Sequence, residues 1–142
     1  MINDRPYTAV LDRLRGVGLR PTRQRLALAR LLFDGRDRHV TAEQLHAEAE
    51  ACATRVSLAT VYNTLHQFVD AGLLREVVAE PGRSYFDTNI QDHHHFYYVD
   101  GGMLEDIPGD QVALSALPAT PEGTEIDRVD VVVRLRGRGN AH

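Results

Sequence analysis

The chain has 142 residues, 43% of them apolar and 25% charged, with a net charge of −4; these values suit one small domain or two very small ones and argue against a disordered chain. No apolar run approaches the ~18–20 residues of a membrane span, and residues 1–10 lack the apolar stretch of a secretory signal. The single cysteine, Cys52, excludes a disulfide framework and a zinc site of four cysteines from one chain, so the expected compartment is the cytoplasm.

Charge is unevenly spread. Residues 1–88 carry 12 Arg against 11 Asp and Glu, residues 89–142 carry 4 against 9, and there is no lysine. Eight arginines fall within 13–38 beside Asp34 and Asp37. Such a patch attracts a phosphate backbone, and by itself it fits a solvated helix surface equally well.

A first helix is predicted from Pro6 to Gly16, with Tyr7, Val10, Leu11 and Leu14 on one face. A second starts at the N-cap Thr22 and closes at Gly35, burying Leu26, Ala29, Leu32 and Phe33. A third opens with a capping box, Thr41 and Gln44, and runs to about Ala51. The fourth lies between the N-cap Ser57 and Gly72. Its spacing puts Val61, Leu65, Phe68 and Val69 on the hidden side. Ala59, Asn63, His66 and Gln67 lie opposite, flanked by Thr60 and Tyr62, and Asp70 is the exposed charge, at the far end. A solvated face normally carries Lys, Arg and Glu; amide and hydroxyl groups match base edges instead.

Two β-rich runs, Leu73–Glu80 and Ser84–Thr88, flank a turn at Pro81-Gly82-Arg83. Residues 89–92 read as a hinge. An aromatic strand, Phe96–Val99, follows the histidines 93–95, then a turn at 100–102, a strand Met103–Ile107, a helix over Asp110–Leu117, and a strand over Ile126–Leu135. The predicted class is α+β: a winged helix-turn-helix DNA-binding domain over 1–88, a hinge at 89–92, and a small α/β dimerisation and sensing domain over 93–142. A unit of about fifty residues buries little surface alone, and its sheet edge invites a second copy, so a homodimer reading two half-sites of duplex DNA is expected. The candidate DNA contacts are Arg20, Arg23 and Arg25 on phosphate, with Ser57, Ala59, Thr60, Tyr62 and Asn63 from the fourth helix.

His93-His94-His95 is the other chemical signal. In an extended segment His93 and His95 share a face and can converge on one ion or one haem iron, while His94 points away. Asp87, Asp92 and His39 are available to complete a mixed nitrogen and oxygen site for manganese, iron or zinc. A fortuitous polar stretch at a hinge is the bland alternative. His46 and His66 read as surface residues and Cys52 as a small buried hydrophobe. No Ser/His/Asp or Cys/His arrangement and no Gly-rich phosphate loop stand out, so the chain is read as a non-enzyme; a metal-dependent hydrolase or oxidase built on the His cluster is the distant alternative.

Gly18-Leu-Arg-Pro-Thr-Arg-Gln-Arg25, His39-Val-Thr-Ala-Glu43, Ser57-Leu-Ala-Thr-Val-Tyr-Asn-Thr-Leu65, Asp70-Ala-Gly-Leu73 and the His cluster resemble the Fur (ferric uptake regulator) family, strongly over 18–100 and weakly after 103. The arginine-rich segment, Tyr85-Phe-Asp-Thr-Asn89 and the triple histidine resemble its iron response regulator (Irr) branch. The resemblance implies a winged-helix domain, an α/β dimerisation domain, and repression or activation at an A·T-rich inverted repeat near iron and haem genes. It implies Arg20 in the minor groove and Tyr62 on bases, with Asn63 where many members have Arg. It implies a sensor metal at His39, Asp87, His93 and His95, with Asp87 in place of the usual glutamate. In the Irr branch it implies haem at His93, His94 and His95, lowering DNA affinity. Tyr98 and Gly101 stand where many members carry the first CxxC pair, so the family's structural zinc is expected to be absent. A second metal site also looks incomplete: Asp92 and His94 are available, but residues 126–135 supply no histidine. A manganese, iron or zinc sensor without haem control is the alternative.

Overall fold

The unpaired backbone groups at a helix end need side-chain or turn partners, and the N-termini of the second, third and fourth helices have them. In the computed structural model, which describes residues 5–138, α1 spans Arg5–Gly16, α2 Arg23–Leu32, α3 Ala42–Ala51 and α4 Leu58–Asp70. Thr22, Thr41 and Ser57 are the N-caps of α2, α3 and α4, each side chain accepting a backbone N–H three residues on. At α3 the reciprocal bond is also made, Thr41 N donating to Gln44 Oε1 at 2.9 Å. α4 ends in a Schellman turn: Gly72 N donates to Val69 O and Leu73 N to Phe68 O. Gly72 takes φ +83°, which glycine adopts without a steric penalty. Leu73 is committed to that cap, so the strand predicted to start there begins at Arg75.

Strands β1 (His39–Val40), β2 (Arg75–Glu80) and β3 (Arg83–Asp87) form an antiparallel sheet in the order β1-β3-β2. Arg83 pairs with Glu80, which narrows the wing turn to Pro81-Gly82. β1 was not foreseen: two residues carry no periodicity, and they are strand because β3 stands beside them. Its register sets His39 opposite Asp87, whose other neighbour is Arg75. Val61, Leu65 and Phe68 of α4 are fully buried with Leu28, Leu32 and Phe86. Thr64 is buried beside them, while Ala59, Asn63, His66 and Gln67 are exposed, as the helical spacing predicts.

One compact unit ends at Ile90 and a second begins at Gln91. In the second, β4 (His94–Tyr98) is central, antiparallel to β5 (Met103–Ile107) and parallel to β6 (Val132–Leu135). Tyr97, Leu104 and Ile107 are its buried apolar residues. A Cβ on Gly109 would lie 2.9 Å from the Asp92 carbonyl oxygen, so glycine lets the chain after β5 close against the approach to His93.

Three expectations are corrected. Asp110–Leu117 is not a helix; a 3-10 turn covers Gly109–Gln111. Leu114 and Leu117 are exposed, and so short a segment between prolines lacks the packing that stabilises a helix. The strand expected over Ile126–Leu135 is four residues long, because it pairs with four residues of β4. Cys52 is exposed, at the C-cap of α3. No helix among the described residues is long and apolar enough to cross a membrane.

The two faces of α4 predict opposite mutational costs. Leu65→Ala should destabilise the fold by about 2–5 kcal/mol, and Asn63→Ala by less than about 0.5 kcal/mol, as read by denaturant unfolding. Equal costs would contradict the assigned faces.

Candidate metal centre and nucleic-acid interface

Strand alternation builds the candidate metal centre. His93, just before β4, and His95 within it share a face and are 7% and 2% exposed. Their ring centroids lie 4.5 Å apart. Both meet one carboxylate oxygen from the neighbouring strand: Asp106 Oδ1 is 3.5 Å from His93 Nε2 and 3.3 Å from His95 Nε2. Asp106 was missed by sequence reasoning. The signal that finds it is register: β4 and β5 pair from Tyr98–Met103 inward, and that ladder sets His95 opposite Asp106.

The donor set fits a divalent ion. A tetrahedral ion with bonds of about 2.0–2.2 Å sets its ligand atoms about 3.3–3.6 Å apart, close to the two measured separations. His93 Nδ1 lies 2.5 Å from the Gln91 carbonyl oxygen. A carbonyl only accepts, so Nδ1 carries a proton, and Nε2, turned toward Asp106, is the nitrogen placed to ligate an ion. Two imidazoles and a carboxylate suit zinc, iron(II) or manganese.

His94 is placed differently. Its Nδ1 accepts the Val131 N–H at 3.0 Å, which fixes the ring on the other face of β4. The three imidazoles therefore do not converge. In the first unit, Asp87 ends β3 fully buried, accepts the Asn89 N–H at 2.9 Å, and stands opposite His39 in the sheet. His39 is half-buried.

The candidate nucleic-acid interface is the exposed face of α4 with the arginines of α2 and the turn before it. Arg20 and Arg23 are exposed, as are Ser57, Ala59 and Asn63; Thr60 and Tyr62 are half-buried. Ser57 Oγ is engaged in capping, accepting Thr60 N and donating to Thr60 Oγ1. Much of the basic patch is tied to the fold. Arg36 and Arg38 pair with Asp34 and Glu48, Arg13 and Arg30 lie over the rings of Phe33 and Tyr7, and Arg25 bonds to Gln67.

Tyr62 also has a partner that sequence reasoning did not supply: its hydroxyl donates to Glu43 Oε1 at 2.7 Å. This bond holds the Glu43 carboxyl below its ordinary value and pushes the Tyr62 phenol up.

The model of the ferric uptake regulator family matches residues 16–133. The ferric uptake regulation protein of Shigella flexneri is 35% identical over 100 residues, 70% of this chain and 68% of that protein. The structure of the ferric uptake regulator of Pseudomonas aeruginosa with manganese superposes with a TM-score of 0.69 at 25% identity, covering 90% of this chain and 97% of that one. That of Vibrio cholerae, described by a rearrangement of its DNA-binding domains, gives 0.70 at 24% identity, covering 89% and 98%.

The Tyr62–Glu43 bond needs an ionised carboxylate and a neutral phenol. Its contribution is present above the ordinary carboxylate pKa and lost as pH falls through the lowered folded value. At the other limit it is present below the ordinary phenol pKa and lost as pH rises through the raised one. Tyr62→Phe should raise the Glu43 pKa toward the ordinary carboxylate range, as followed by NMR of the carboxyl carbon. An unchanged Glu43 titration would show that the bond does not form.

Proposed function

The chain belongs to the ferric uptake regulator family, and from that premise we propose a metal-responsive regulator of transcription that binds duplex DNA as a homodimer in the cytoplasm. The observation that carries the sensing part is the meeting of His93 Nε2 and His95 Nε2 on a single oxygen of Asp106. A divalent ion would be held by these three residues. Manganese, iron and zinc all suit such donors. When bound, the ion would supply a positive charge among these donors, and it would change DNA affinity only by its differential affinity for the states that do and do not bind DNA.

The reading part rests on α4. Its exposed face is uncharged up to Asp70, and its amide, hydroxyl and phenol groups match base-edge donors and acceptors. Arg20 and Arg23 contact phosphate or reach the minor groove. With no nucleophile or general base singled out beside the ligands, a regulator is favoured over an enzyme.

A divalent ion is favoured over haem, and so over the Irr-type reading. His93 and His95 are almost wholly buried and too close together to bracket a porphyrin, and His94 is engaged with Val131. DNA titrations at one stated salt concentration test this with metal-free, Mn²⁺-loaded, Zn²⁺-loaded and haemin-treated protein. A divalent ion should change affinity about fivefold or more, and Asp106→Asn should remove the response while leaving metal-free binding unchanged. An Asp106→Asn variant that responds as the wild type does contradicts the assignment. A response to haemin alone, lost when His93, His94 and His95 are all alanine, would move the sensor to haem.

A further inference from the structure

Arg25 reaches from α2 to α4. Its Nε and Nη2 donate to Gln67 Oε1 at 3.1 and 3.0 Å, and its Nη1 donates to the Arg20 carbonyl oxygen at 2.9 Å. A guanidinium has no acceptor, so the Gln67 amide must turn its oxygen to Arg25. Its Nε2 amino group is then the part presented outward. Gln67 is exposed and follows Ala59 and Asn63 at four-residue spacing on one face of α4.

This orientation limits what the residue can read. A glutamine that turns freely recognises adenine with both ends of its amide, accepting from N6 and donating to N7. Here the accepting end is occupied. Guanine offers two acceptors, O6 and N7, where adenine offers one acceptor beside a donor; thymine O4 and a phosphate oxygen are also acceptors.

We propose that Gln67 is a donor-only contact to duplex DNA, its Nε2 giving hydrogen bonds to guanine or thymine acceptors or to a phosphate, and that Arg25 is the positioning residue that forbids the paired adenine contact. The proposal rests on the reading that α4 meets DNA, and it adds a recognition residue and its permitted partners. It also changes the role of Arg25 from a contact on phosphate to a brace behind the amide.

Two variants separate the donors from the brace. Gln67→Glu keeps an acceptor for Arg25 and removes the donors; Gln67→Met has a similar length and removes both. Thermal unfolding confirms that each is folded, and duplex affinity is compared with binding-site selection. Each variant should lose about tenfold in affinity, the effect of one good contact. A loss confined to one base position marks a base edge, and a loss equal across all sequences marks phosphate; both outcomes support the donor contact. For a base edge, Arg25→Met lets the amide turn, and adenine becomes accepted at that position. Wild-type affinity and preference in both Gln67 variants would overturn the proposal, as would wild-type selection of adenine at the position that Gln67→Met relaxes. A wild-type protein that binds no duplex at low salt would instead remove the reading beneath it.

Discussion

Two buried imidazoles facing one carboxylate oxygen set the central constraint on this molecule. His93 is fixed with its proton on Nδ1 by the Gln91 carbonyl, so its Nε2 is the atom turned to Asp106. The two imidazole nitrogens stand 3.5 and 3.3 Å from one oxygen, a spacing that suits the ligands of a divalent ion. The elements around the cluster serve the same end. β4 alternates His93 and His95 onto one face, β5 brings Asp106 opposite, and Gly109 admits the Asp92 carbonyl close to the approach. Asp106 keeps its side chain 38% exposed, which gives an ion a route in.

The first unit answers a different constraint. On the proposed function, α4 must expose hydrogen-bonding groups to base edges without letting them wander or bond to their own backbone. α4 anchors its aliphatic side with Val61, Leu65 and Phe68, and neighbours hold several of its polar groups: Ser57 by capping, Tyr62 by Glu43, Gln67 by Arg25. The exposed side carries Ala59, Asn63, His66 and Gln67, groups that suit the proposed contact with bases better than charges, which favour phosphate.

How much of this was legible in the sequence follows from the range of the forces involved. The N-caps of α2, α3 and α4, the two faces of α4, and the shared face of His93 and His95 are local consequences of spacing and side-chain type, and they stand as read; α2 ends at Leu32 with Phe33 as its C-cap, short of the Gly35 expected to close it. Asp106 was not legible from composition; it depends on a hairpin register eleven residues away from His95 along the chain. Arg25 and Gln67 are 42 residues apart, so their bond needs the packed helices before it exists. β1 is strand because of β3, and residues 112–117 stay irregular, with Leu114 and Leu117 exposed among the described residues. These are cases where tertiary context outweighs local preference.

Anomalous scattering from crystals of the manganese- or zinc-loaded protein tests the central claim most directly. A peak within about 2.0–2.2 Å of His93 Nε2, His95 Nε2 and Asp106 is the result this account predicts. Ions bound elsewhere, with His93 and His95 still facing an uncoordinated Asp106, would contradict it.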